Sequence, residues 1–172
     1  MNLLRSCLAA LLAGAATASL AAGGSMAPVA PGVRTGERPS AGSGKVCPLD
    51  IAANDMMQFD KRELRVATTC LQVALTLRHS GKLTVQTMGH NWVLVRDADA
   101  AGVTSDGLAA GVKNDYVRPG DPRVIAHSKV VGAGQSDTVW FSTEALKSGE
   151  SYTFECTSAG HSTVMKGKFI FG

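Results

Sequence analysis

Cys156, His161 and Met165 lie within ten residues of one another, in the stretch Cys156-Thr157-Ser158-Ala159-Gly160-His161-Ser162-Thr163-Val164-Met165. A thiol, an imidazole and a thioether on one short segment can turn toward a single point if the chain is held at both ends. A second imidazole, His90, stands in Met88-Gly89-His90-Asn91, just before the apolar run Trp92-Val93-Leu94-Val95. Two imidazoles, one thiolate and one thioether form the donor mix of a trigonal His₂Cys copper plane with a weak axial Met. Such a set lies between the tetragonal surroundings that suit Cu(II) and the low-coordinate, near-tetrahedral ones that suit Cu(I). Little rearrangement then accompanies the gain or loss of an electron. The expected chemistry is one-electron transfer with His90, Cys156, His161 and Met165 as ligands. The Cys156 thiolate would donate most strongly, Met165 would be a long axial contact, and hydrogen bonds to the sulfur would tune the potential.

Blander readings compete for each residue taken singly. A strand cysteine is often an inert core residue, and a lone His or Met is less informative still. The joint spacing of four donors favours one shared site. Zinc prefers more thiolates or a carboxylate and has little use for Met. A Cys nucleophile with a His base leaves Met165 unexplained and shows no oxyanion hole. A copper-delivery protein without an electron-carrier role, and a metal-free binding module, are the remaining alternatives. Both predict no intense visible band.

Strands must hold these donors. Leu71, Val73, Leu75, Leu77 and His79 alternate with Gln72, Ala74, Thr76 and Arg78, the two-residue period of a half-buried strand. Trp92 to Val95 reads as a strand buried on both sides. Val139 and Phe141 alternate with Trp140 and Ser142, which sends Trp140 outward. Tyr152, Phe154 and Cys156 alternate with Ser151, Thr153 and Glu155, and Lys168 to Phe171 closes the chain as a last strand. Ser80-Gly81, Gly132-Ala133-Gly134 and Ser148-Gly149 mark turns. Many short strands with polar turns predict an all-β antiparallel sandwich or barrel. Segment 97–115 breaks the pattern and suits a short helix or flap, capped by Asp97 or Thr104.

Residues 1–22 read as a secretory signal peptide, with Arg5 before the apolar run Leu8 to Ala16 and small residues after it. The run is too short for a comfortable membrane span. The mature protein is therefore expected to be exported, without a stable membrane span after signal cleavage; an uncleaved anchor is the alternative. Residues 23–45 are rich in Gly, Ala, Pro and Ser and read as a flexible linker; the domain runs over 46–172. Cys7 leaves with the leader, so Cys47, Cys70 and Cys156 remain in an oxidising compartment, where two can pair and one is left over. The net charge of +3 belongs to the N-terminal segment, because residues 46–172 carry 13 basic and 13 acidic side chains. A neutral domain lacks the basic stripe that nucleic acid would require.

From Val46 to Gly172 the chain resembles the azurins, bacterial cupredoxins. The matching stretches are Cys47-Pro48-Leu49-Asp50-Ile51, Asn54 to Phe59, Met88 to Leu94, Asp115-Tyr116, Arg123 to His127 and Gly160 to Gly167. Four residues between the Cys and the second His fit azurins, whereas plastocyanin and pseudoazurin have two. The resemblance implies a Greek-key, cupredoxin-like β-sandwich with a helical flap at 97–115, one type 1 copper and a Cys47–Cys70 disulfide. It implies a weak axial contact from the Gly89 carbonyl opposite Met165. It also implies an Asn91 that ties the His90 segment to the backbone at 157–158, and a buried Trp92. His79 reads as a satisfied, half-buried histidine, with a pH-linked effect on the copper as the alternative; His127 reads as a surface histidine.

The resemblance further implies a monomeric periplasmic carrier passing electrons between c-type cytochromes and reductases or oxidases. Its partners would dock through a patch around His161 formed by Met57, Leu83, Met88, Leu108, Ala159 and Gly160. A near-neutral patch makes electron-transfer rates only weakly dependent on salt. The chain departs from azurins at Ser158-Ala159, where they usually have Phe-Pro. A hydroxyl replaces a ring and Ala159 restores an N–H, so an added hydrogen bond to the thiolate and an altered reduction potential are expected.

Overall fold

The structure, a computed structural model, describes residues 34–35 and 44–172. The expected leader at 1–22 lies outside the described residues, as does most of the expected linker at 23–45. Among the described residues ten strands occur in chain order: β1 (Arg34–Thr35), β2 (Val46–Asn54), β3 (Gln58–Phe59), β4 (Glu63–Val66), β5 (Gln72–His79), β6 (Val93–Arg96), β7 (Val124–His127), β8 (Ser136–Ser142), β9 (Tyr152–Glu155) and β10 (Lys166–Phe171). Two α-helices, α1 (Val85–Met88) and α2 (Ala100–Ala110), interrupt them. The strands form two five-stranded sheets ordered β1-β8-β5-β2-β3 and β4-β10-β9-β6-β7. Pairing is mixed rather than wholly antiparallel, because β2 runs parallel to β5 and β10 parallel to β4. The alternation pattern in the sequence reports which face is buried and carries no information on strand direction.

The alternation in β5 matches its burial. Val73, Leu75 and Leu77 are wholly enclosed and pair across the sheet with Phe141, Val139 and Asp137 of β8. Leu71 departs from the expected inward face: it precedes β5 and stands exposed. Trp140, out of phase with Val139 and Phe141, is partly exposed, as its phase requires. Wholly buried Trp92 sits between the sheets, with ring centroids 6.0 Å from Phe141, 6.2 Å from Phe154 and 6.4 Å from Phe169.

Val93, Leu94 and Val95 are buried on both faces of β6 because the flap covers the outer one. Val93 and Val95 pack with Val103 of α2, Val117 and Val124 in a second, smaller cluster, while Leu94 joins the main core. Neither expected cap holds the flap. Asp97 instead accepts a hydrogen bond from Thr153 Oγ1 (2.8 Å), and Thr104 lies within α2, donating to Glu155 Oε1 (2.9 Å). Arg123 anchors the flap from β7's approach, bridging Asp106 of α2 (2.5 Å) and the enclosed Asp121 (2.6 Å). The expected linker contributes β1, which pairs antiparallel with β8 through Arg34–Trp140 and Thr35–Val139.

Candidate metal centre

Strand register gathers the donors. Val93 of β6 lies opposite Glu155 of β9, and Glu155 lies opposite Lys166 of β10. His90 precedes β6, Cys156 follows β9 and Met165 precedes β10, so all three fall at one end of the same sheet. The loop between β9 and β10 is closed by Cys156 N–H to Met165 O (3.0 Å). Inside it, His161 N–H donates to Ser158 O (3.0 Å) and Met165 N–H to His161 O (2.8 Å), which turns His161 inward. Gly160 takes φ +79°, a left-handed conformation that a side chain disfavours.

His90 Nδ1 lies 3.2 Å from His161 Nδ1, and Cys156 Sγ lies 3.8 Å and 3.5 Å from the same two nitrogens. His90, Cys156 and His161 are all buried, and Met165 beside them is 1% exposed. Cys156 is the one free cysteine among the described residues; Cys47 and Cys70 are joined as a disulfide. The pairing left open by the cysteine count is thereby resolved.

The ring of His90 is aimed by its far nitrogen. Nε2 lies 2.8 Å from the Asn54 carbonyl, which can only accept, so the ring proton sits on Nε2 and Nδ1 presents its lone pair inward. Burial pushes the His90 pKa down to about 4, helped by the neighbouring His161, so the ring is neutral at neutral pH. Burial also lowers His161. Burial pushes the Cys156 thiol up, against the pull of the Ser158 hydroxyl and the Asn91 and Ser158 backbone N–H groups. Two neutral imidazoles and one sulfur converge with no carboxylate among them. A soft, thiolate-binding cation fits this set, and copper fits its nitrogen and sulfur composition better than zinc.

Asn91 braces the two segments that carry His90 and Cys156. Its Oδ1 accepts from Thr157 N–H (2.9 Å), while Nδ2 donates to Thr157 Oγ1 (2.7 Å) and to the Asp115 carbonyl (2.6 Å). Thr157 Oγ1 donates onward to the Tyr116 carbonyl (2.7 Å). Asp115 and Tyr116 hold left-handed φ values of 52°, strain that sets their carbonyls against the Asn91–Thr157 pair. The Asn91 tie is legible in the sequence resemblance; the contributions of Asn54, Asp115 and Tyr116 are not, because each acts through its backbone carbonyl.

His79 stacks on His90 with centroids 5.1 Å apart. Its Nδ1 accepts from Gly81 N–H (3.1 Å), its Nε2 meets the Met88 carbonyl (3.0 Å) and Asp55 Oδ1 lies 3.7 Å from Nε2, so the ring is satisfied as expected, though buried rather than half-buried. His127 lies on β7, partly buried, with Nδ1 3.1 Å from the Ser128 carbonyl. Glu155 differs from its alternation, which points it outward: Thr104 of α2 donates to it and the side chain is buried. Of the patch residues expected around His161, Leu83, Leu108, Ala159 and Gly160 are exposed and Met57 and Met88 half-buried.

Residues 45–172 match the model of the family described as copper binding proteins, plastocyanin/azurin family. The chain is 50% identical over 121 residues to azurin-1 of Alcaligenes xylosoxydans xylosoxydans, covering 70% of this chain and 94% of that protein. It is 45% identical over 124 residues to the azurin of Pseudomonas chlororaphis, covering 72% of this chain and 97% of that protein. Among solved structures, azurin Az-iso2 of Methylomonas sp. strain J is similar at a TM-score of 0.71 and 35% identity, covering 73% of this chain and 98% of that one.

Proposed function

Because this chain belongs to the plastocyanin/azurin family of copper-binding proteins, we propose that His90, Cys156 and His161 form the copper plane, with Met165 and the Gly89 carbonyl as weak axial contacts. The protein is a blue-copper electron carrier and not an enzyme; its cofactor is copper and its partners are redox proteins. Bound copper supplies a one-electron Cu(II)/Cu(I) couple. The convergence of two histidine Nδ1 atoms on the Cys156 sulfur is the observation that carries the ligand assignment.

The remaining roles follow from how the residues are held. Asn54 fixes the His90 ring, and the Asn91–Thr157 bonds lock the two ligand segments together, so the donor set keeps its shape in both oxidation states. Gly89 is held close against its neighbours, since a Cβ there would meet the Val85 carbonyl at 2.5 Å and Val130 at 2.6 Å, so no larger residue keeps the backbone before His90 in this position. His161, 8% exposed, is the electron portal, and Leu83 and Leu108, both exposed, belong to the apolar patch read around it. The apolar surface around it suits brief docking with c-type cytochromes or with periplasmic reductases and oxidases. No helix among the described residues is long and apolar enough to cross a membrane. With the leader read at 1–22, the linker at 23–45 and the domain at 46–172, the periplasm is the proposed compartment.

A spectrum of the copper-loaded protein tests the assignment. An intense thiolate-to-Cu(II) band in the red is expected for wild type and is lost in Cys156→Ser. A wild-type protein without that band would favour copper delivery or a metal-free module instead.

A further inference from the structure

We propose that the hydroxyl of Ser158 donates a hydrogen bond to the Cys156 sulfur and thereby raises the reduction potential of this protein. The proposal rests on the reading of Cys156 as a copper ligand.

Ser158 lies in the ligand loop two residues after Cys156 and is only 4% exposed, with its hydroxyl oxygen fully enclosed. It is one of three enclosed side-chain polar atoms without a directed hydrogen bond among the described residues, and the only one in the ligand loop. The neighbouring donors are already engaged. Thr157 Oγ1 accepts from Asn91 and donates to the Tyr116 carbonyl, and Thr163 Oγ1 donates to the Gly160 carbonyl (3.1 Å). Ala159 has no hydroxyl and stands exposed.

A buried hydroxyl left without a partner points to a partner that forms in another state of the protein. The acceptor that changes is the sulfur. A protonated thiol accepts weakly, whereas the thiolate required for metal binding accepts strongly.

A hydrogen bond to the sulfur withdraws electron density from it. The thiolate then donates less to the oxidised ion, which depends on that donation more than the reduced ion does, so reduction becomes easier. The same withdrawal lowers the energy of the sulfur donor orbital and moves the charge-transfer band to higher energy.

Four copper-loaded proteins test this: wild type, Ser158→Ala, Ser158→Thr and Ser158→Val. Thr and Val have nearly the same shape and differ in the hydroxyl. Ser158→Ala and Ser158→Val are expected to lower the potential and shift the band to longer wavelength, while Ser158→Thr stays near wild type. Equal potentials for Thr and Val, or for Ala and wild type, would overturn the proposal. Thermal unfolding of the metal-free proteins supplies an independent readout. Ser158→Ala is expected to leave the metal-free Tm unchanged or raised; a fall would mean that the hydroxyl serves a structural partner and would also overturn it. Failure of the copper reading itself is distinguishable, since wild type would then lack the band altogether.

Discussion

His90 shows how one residue's surroundings prepare it for a metal. Its ring is wholly buried, its Nε2 proton is committed to Asn54, and its pKa is held down to about 4. A proton therefore does not compete for Nδ1 at neutral pH, which favours metal binding. The same shift makes the metal-free protein sensitive to acid. The unfolded chain protonates His90 near the ordinary value of 6.5, well before the folded chain does. Stability is thus full above about pH 6.5 and falls as the pH drops toward about 4, by up to about 3 kcal/mol. Urea titrations of the metal-free protein at pH 7.5 and 4.5 should show this loss, and His90→Gln should show less of it. The buried carboxyl of Glu155, whose pKa is raised by burial, works in the opposite direction and is common to both proteins.

Among the elements, the flap is the one with most bearing on the site. Helix α2 is short, ends at Gly111 with φ +71° and carries glycines at 102 and 107. Intrinsic propensity alone would make Gly107→Ala stabilising by about 1 kcal/mol. The packing reverses that sign. A Cβ at Gly107 would collide with the Tyr116 carbonyl, which accepts the hydrogen bond from Thr157 Oγ1 next to Cys156. Gly107→Ala is therefore expected to destabilise the protein and to alter the copper spectrum. A Tm equal to or above wild type would show that the flap does not press on the ligand loop. The Thr104–Glu155 and Arg123–Asp106 contacts tie the same helix to β9 and to the Asp121 turn, so the flap is held on both sides.

The whole molecule separates its scaffold from its metal site. The Cys47–Cys70 disulfide joins the start of β2 to the residues just before β5, whereas the proposed copper ligands cluster between the ends of β6, β9 and β10. In the chain-entropy picture a bridge of this separation contributes roughly 3 kcal/mol. The double variant Cys47→Ala/Cys70→Ala is expected to lose about that much stability while keeping the visible band and its potential. Loss of the band in a variant that is still folded would mean that the scaffold and the site are coupled. At the edge of the first sheet, β1 from the N-terminal segment covers β8, so part of the expected linker adds to the fold. Covering an edge strand blocks its free backbone groups from pairing with other chains.

The residues themselves determined a good deal. Donor chemistry and spacing singled out His90, Cys156, His161 and Met165, because a thiol, a thioether and two imidazoles serve few other purposes together. Period-two alternation located the inward faces of β5 and β8, since side chains on a strand must point to opposite sides. The cysteine count left one thiol over without saying which. Other features depended on contacts between distant segments. Parallel pairing of β2 with β5, the burial of Glu155 beneath α2 and the Asn54 carbonyl behind His90 leave no mark on a linear pattern, because backbone groups and strand direction are independent of residue type. The four donors read from the sequence were a list of ligand atoms. Only the register of β6, β9 and β10 brought His90, Cys156 and His161 to one point, with Met165 buried beside them.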